Sequence, residues 1–157
     1  MFNVVLVHPQ IPPNTGNIGR LCVNTGATLH LIEPLGFSID DKALRRAGLD
    51  YWPKLDFVVW ESLEEFMESV NMKRCFLATT KSKKPYFEAK FQPGDYLLFG
   101  SETSGLPTEL LQKYKEQTIT IPMTKEGRSL NLAVSTGIIL YEAIRQNYND
   151  FSKIATE

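Results

Sequence analysis

Cysteine and histidine are scarce: the 157 residues hold two of each. Cys22 and Cys75 stand far apart, with no CxxC or other metal-ligand spacing, so they read as two reduced, packed thiols. His8 and His30 have no companions that would complete a triad or a metal set. Long hydrophobic runs are missing, and no stretch approaches the length of a membrane-spanning helix. Met1-Phe2-Asn3-Val4-Val5-Leu6-Val7 lacks a basic leader and a cleavage pattern and reads as a strand, so a cytoplasmic protein is expected. A formal net charge of -1 argues against nucleic-acid binding by bulk charge. Neither GxGxxG nor GxxxxGK[ST] occurs, so neither a dinucleotide fold nor a P-loop is supported. With no repeat, low-complexity tract or linker, residues 1–157 are expected to form a single domain.

What is present is an ordinary globular composition, 43% apolar and 22% charged. Short apolar runs at 3–7, 29–32, 57–60, 75–78, 96–99 and 119–121 read as buried strands. Helical patterns lie between them. Residues 16–26 put Ile18, Leu21 and Cys22 on one stripe and Asn17, Arg20 and Asn24 on another. Ser62-x-x-Glu65 is a capping box, and Pro107 sits where a first-turn proline belongs. The alternation predicts an α/β fold with a largely parallel sheet and flanking helices. A last helix is predicted from Ser129, as its N-cap, to Tyr148. Leu130, Val134, Gly137, Ile138, Tyr141 and Ile144 line one of its faces, and Leu132, Ile139 and Ala143 add apolar surface on another. A helix apolar on more than one side in so small a protein predicts a homodimer, with Gly137 allowing close approach of another backbone.

Three polar, glycine-bearing islands follow strands and suggest one shared site: Asn14 to Arg20, Phe99 to Pro107, and Gly127 to Leu132. Arg20 suits either an ion pair or anion recognition. Glu102 is the carboxylate inside the second island, fit equally to hold loop amides or to orient a bound group. Asn131 offers donors and acceptors where a helix interior would disfavour it. Lys42, Arg45 and Arg46 form one basic cluster, and Lys81, Lys83 and Lys84 another. Each suits a solvated face as well as a phosphate site.

Taken together, NTGNIGRLCVNTGA (14–27), LFGSETSGLP (98–107) and IPMTKEGRSLNLAVSTGIILYEAIRQ (121–146) resemble, in order, the three motifs of the SpoU branch of the SPOUT methyltransferases. The likeness extends through IEPLGF (32–37) and DDKALRRAGLDYW (40–52) to the small single-domain members that methylate the ribose 2′-oxygen of the tRNA wobble nucleotide. This resemblance implies a C-terminal trefoil knot, which base rates alone would never suggest. It implies S-adenosylmethionine held largely by backbone groups at Ala78, Gly100, Ile121 and Ser129, with Thr79, Leu130 and Asn131 as neighbours. Other members often carry a bulkier residue at Ala78, a change that matters little if the contact is through the main chain.

The resemblance also implies a dimer that grips RNA across both subunits, and a 2′-hydroxyl target that excludes DNA. No metal and no membrane are called for. The family gives its motif-one arginine, here Arg20, a key role. A guanidinium is too basic for a general base, so Arg20 is expected to bind phosphate or orient the hydroxyl. Asn14, Glu102, Ser129 and Asn131 complete that constellation, and Lys42, Arg45, Arg46, Lys81, Lys83, Lys84 and Arg128 are expected tRNA contacts. The expected substrate is wobble cytidine or carboxymethylaminomethyluridine, in tRNA-Leu. The alternatives are another tRNA or ribosomal RNA site, and a non-catalytic RNA-binding assembly factor.

Overall fold

Six short apolar segments assemble into one sheet in a computed structural model that describes residues 1–48 and 52–155. They are β1 (Asn3–Val7), β2 (Thr28–Ile32), β3 (Phe57–Trp60), β4 (Cys75–Ala78), β5 (Tyr96–Phe99) and β6 (Thr118–Ile119). The order across the sheet is β3-β2-β1-β5-β4-β6, and every pairing is parallel. Parallel strands covered on both faces read as continuous apolar runs, and β1 shows why. Val4 and Leu6 pack on one face with Ile18, Cys22, Ile139, Leu140 and Ala143. Val5 and Val7 pack on the other with Phe66, Leu106 and Leu110.

The first face is covered by α1 (Pro12–Thr25) and α5 (Leu132–Gln146), the second by α3 (Leu63–Ser69) and α4 (Thr108–Lys113). A short α2 (Lys42–Gly48) packs on α1, and α6 (Tyr148–Ala155) follows α5. Residues 49–51 of the segment 40–52 lie outside the described residues, as does the side chain of Arg45. Among the described residues, no helix is long and apolar enough to cross a membrane, and no cluster of His, Cys, Asp and Glu is placed to hold a metal.

Three local expectations are corrected. The helix read over 16–26 starts earlier: α1 opens at Pro12, and Asn14, Thr15 and Gly16 are buried within its first turns. Proline in the first turn has no N–H to lose there. Ser129 does not cap α5. Asn131 does, its Oδ1 accepting from the N–H groups of Ala133 (2.8 Å) and Val134 (3.2 Å). Pro107 is the N-cap of α4 rather than a residue of its first turn. On α5 the buried side is Leu132, Thr136, Ile139, Leu140, Ala143 and Ile144, whereas Val134 (51% exposed) and Tyr141 (49%) face outward. Among the described residues, a methyl group on Gly137 would touch Leu21 Cδ2 at 3.9 Å. The Ser62 cap is as predicted, its hydroxyl accepting from Glu65 N–H at 3.1 Å.

His30 is packed rather than functional. Trp60 Nε1 donates to its Nδ1 (3.0 Å), so the proton sits on Nε2, which donates to Asn3 Oδ1 (2.9 Å). Burial lowers its pKa from 6.5 to about 4, with Asp56 opposing the shift.

Candidate active site

The carboxyl ends of parallel strands are where α/β sheets present loops to ligands. Here the loops after β4, β5 and β6 converge on a cleft of about 460 Å³, a size suited to a small molecule. All six residues expected to hold the cofactor line it: Ala78, Thr79, Gly100, Ile121, Ser129 and Leu130. Asn14, Glu102 and Asn131 line it as well. Its walls mix apolar side chains such as Phe99, Ile119 and Leu132 with hydroxyl and backbone groups. That mixture fits a cofactor with an aromatic base, a ribose and an amino-acid tail, which is the composition of S-adenosylmethionine.

The loop after β5 owes its shape to Gly100. A Cβ there would lie 1.9 Å from Gly105 C and 2.1 Å from Leu106 N, so no other residue fits. The chain folds back on itself because Gly105 N–H donates to Ser101 O (3.0 Å) and Ser104 N–H to Ser101 Oγ (3.0 Å). Gly105 supplies the required left-handed conformation, at φ 69°. This turn delivers Glu102 to the start of α1.

A chain of hydrogen bonds then joins three parts of the protein. Glu102 Oε1 accepts from Gln10 N–H (2.9 Å), and Oε2 accepts from Ile11 N–H (2.9 Å) and Asn14 Nδ2 (3.2 Å). Asn14 Oδ1 in turn accepts from Asn131 Nδ2 (3.0 Å). A carboxylate at a helix N-terminus satisfies orphan amides and complements the helix dipole. Of the two readings open for Glu102, the structure therefore shows the holding of loop amides. Asn131 is fully used, with its oxygen capping α5 and its amide gripping Asn14.

Arg20 is not in this network. It lies on the exposed stripe of α1 with Asn17 and Asn24, as the spacing predicts, and does not line the cleft of its own chain. Lys81 lines the cleft, and Lys42, Arg46, Lys83, Lys84 and Arg128 are exposed. Sequence reasoning overlooked Gln10 and Thr103, whose side chains pair at 2.9 Å beside Glu102. The signal was the position of Gln10 in the turn directly after β1. Neither cysteine is a nucleophile: burial pushes the thiol of Cys22 and that of Cys75 up to about 12.

The SpoU rRNA Methylase family profile matches residues 1–141. The chain belongs to this family. It is 50% identical over 147 residues to the tRNA (cytidine(34)-2′-O)-methyltransferase of Escherichia coli (strain K12), covering 93% of this chain and 94% of that protein. A structure solved in work on the 2-OH methylation of C/U34 on tRNA superposes with a TM-score of 0.90 at 45% identity, covering 95% of this chain and 97% of that one. The SpoU methyltransferase AviRb from Streptomyces viridochromogenes, in complex with AdoMet, matches at a TM-score of 0.78 and 30% identity over 93% of this chain and 57% of that one. This SpoU-family protein is an S-adenosylmethionine-dependent methyltransferase, with a cleft whose lining fits that cofactor.

Proposed function

We propose that residues 1–157 form one domain that methylates the ribose 2′-oxygen of the wobble cytidine in a tRNA anticodon. The observation that carries this reading is the identity of about half, over 93% of this chain, to proteins of that named activity. Bound S-adenosylmethionine supplies a sulfonium-activated methyl group. What the chain must add is in-line placement of the ribose hydroxyl and an outlet for its proton.

The frame of Glu102, Asn14 and Asn131 holds the start of α1 and the start of α5 rigidly beside the cleft. Ala78, Gly100, Ile121 and Ser129 hold the cofactor, with Thr79 and Leu130 beside them. Arg20 orients the ribose hydroxyl or an adjoining phosphate, staying charged throughout. Its supply across a homodimer interface is supported by two facts. It lies outside the cleft of its own chain, and α1 adjoins α5, whose outer stripe exposes Val134 and Tyr141. Lys42, Arg45, Arg46, Lys81, Lys83, Lys84 and Arg128 grip the tRNA backbone, so binding weakens steeply as salt rises.

The trefoil knot belongs to the same reading. Thr120 N–H donates to Lys84 O (2.9 Å) and Tyr86 N–H to Thr120 O (2.8 Å), so the segment after β6 runs along the loop joining β4 and β5 before Asn131 returns to Asn14. The finer assignment is tRNA-Leu, with carboxymethylaminomethyluridine accepted beside cytidine.

The test is transfer of labelled methyl from S-adenosylmethionine to tRNA from cells lacking the gene, followed by nucleoside mapping. A 2′-O-methyl group at the wobble nucleotide of tRNA-Leu is the expected product. Label elsewhere in tRNA or in ribosomal RNA overturns the target, and no transfer to either overturns the reaction.

A further inference from the structure

A second cleft, of about 480 Å³, opens on the other side of the turn after β5. Ser101, Ser104, Gly105 and Leu106 line both clefts, so this turn is the wall between them. The first cleft sits at the carboxyl ends of β4, β5 and β6. The second sits at the carboxyl ends of β1, β2 and β5, where His8, Pro34 and Pro107 follow those strands. Of its distinctive lining, the site described above engages Gln10, which Glu102 and Thr103 hold.

The polar groups in this second cleft are fixed in a complementary way. His8 is the one non-glycine residue with positive φ (57°) among the described residues, which sets its ring against the end of β2. Its Nδ1 lies 3.2 Å from Ile32 O. A carbonyl only accepts, so Nδ1 carries the proton and Nε2 is the ring's acceptor. Gln10 accepts from Thr103 Oγ1 through Oε1, which leaves its amide NH₂ as donor. Pro34, Leu35, Leu106 and Pro107 add flat apolar surface. The backbone is just as constrained, since a Cβ on Gly36 would lie 2.7 Å from Gln10 Cα. One fixed acceptor, one donor and apolar walls match the edge and faces of a pyrimidine base, which presents donors and acceptors together.

We infer that this second cleft takes the base of the target nucleotide, with His8 and Gln10 reading its edge while the ribose lies over the dividing turn toward the cofactor cleft. The inference rests on the ribose-methylation reading above and adds to it a place for the base. The same wall then does two jobs: Glu102 on it holds Gln10 N–H, so the base-reading residue is anchored to the frame of the cofactor cleft.

The test compares anticodon stem-loop RNAs carrying either cytidine or an abasic ribose at the wobble position. Affinity is measured by fluorescence anisotropy and transfer as kcat/KM. The wild-type protein binds and methylates the cytidine loop about tenfold better than the abasic loop, the effect of a lost polar contact. His8→Asn, which tolerates the positive φ, and Gln10→Ala at an exposed side chain each lose that advantage. His8→Asn leaves activity on the abasic loop unchanged, where there is no base to read. Equal binding and transfer on the two loops overturns the inference while leaving the reaction intact. So does a variant that falls by the same factor on both, since its residue is then structural. Discrimination in binding with no transfer to either loop upholds the base cleft and overturns the methylation reading.

Discussion

Asn14 and Arg20 stand six residues apart on α1, and the structure treats them oppositely. Asn14 is buried and held at both ends of its amide, by Glu102 on one side and Asn131 on the other. Arg20 faces outward on a helix whose inner side fills the core. One motif therefore contributes both a buried part of the frame and an exposed side chain on the helix surface. The difference separates the frame from the helix surface: the cleft is assembled by intrachain hydrogen bonds, and Arg20 stands outside its lining.

Arg20→Ala tests that separation most directly. Methyl transfer should fall about 10²- to 10³-fold, the usual effect of losing a group that acts on the reacting centre. The thermal midpoint should stay within the small range typical of surface substitutions. Labelled transfer and calorimetry on one sample suffice, and a large fall in stability would show Arg20 to be part of the frame. Acid tests the buried interior instead, through His30. The folded pKa of His30, about 4, lies below the ordinary 6.5, so its contribution is complete above pH 6.5 and is lost as pH falls toward 4. Stability should drop by on the order of 3 kcal/mol over that window, read by denaturant titration. A flat profile would contradict the buried neutral ring.

Smaller effects belong to the frame itself. Glu102→Gln replaces an acceptor of three N–H groups with an amide that must turn a donor toward some of them. The expected cost is about 1–3 kcal/mol, with weaker cofactor binding in calorimetric titration. An unchanged midpoint would remove the carboxylate from the frame. Asn131→Ala should cost about 1 kcal/mol through the lost cap. Asn131→Asp should recover the cap while leaving Asn14 Oδ1 without its donor, so the two variants separate helix capping from coupling to Asn14. Equal losses in both would place the whole effect in the coupling.

Much of this was legible in the sequence. All six strands appear where apolar runs stand. Strands β1, β2 and β5 are buried on both faces and carry the signal in nearly every residue. Strand β3 keeps its apolar run at the sheet edge although Val58 and Val59 are exposed. The start of α1 was not legible. Asn14-Thr15-Gly16-Asn17 has the composition of a turn, and the acceptor that makes it helical, Glu102, comes from more than eighty residues away. Ser129 and Asn131 are both good caps by type, and the choice between them falls to the amide that reaches Asn14. Which face of α5 turns inward was not legible for a related reason. Two apolar stripes have the same periodicity, and only the sheet decides that Ile139 and Ala143 go inward while Val134 and Tyr141 stay out. Site residues that line the cofactor cleft were readable because they sit at strand ends. The second cleft was not, because it depends on loops after β1, β2 and β5 meeting in space.

The place of β1 between β2 and β5 has a consequence for synthesis. Its neighbour on one side, β2, follows within thirty residues, but Asn3 pairs on the other side with Tyr96. At about 5–20 residues per second, the ribosome needs roughly 5–20 seconds to deliver that second partner. Throughout that interval the emerging chain carries an unpaired strand edge from Val4 to Leu6, and the pace of translation sets how long neighbouring chains can reach it.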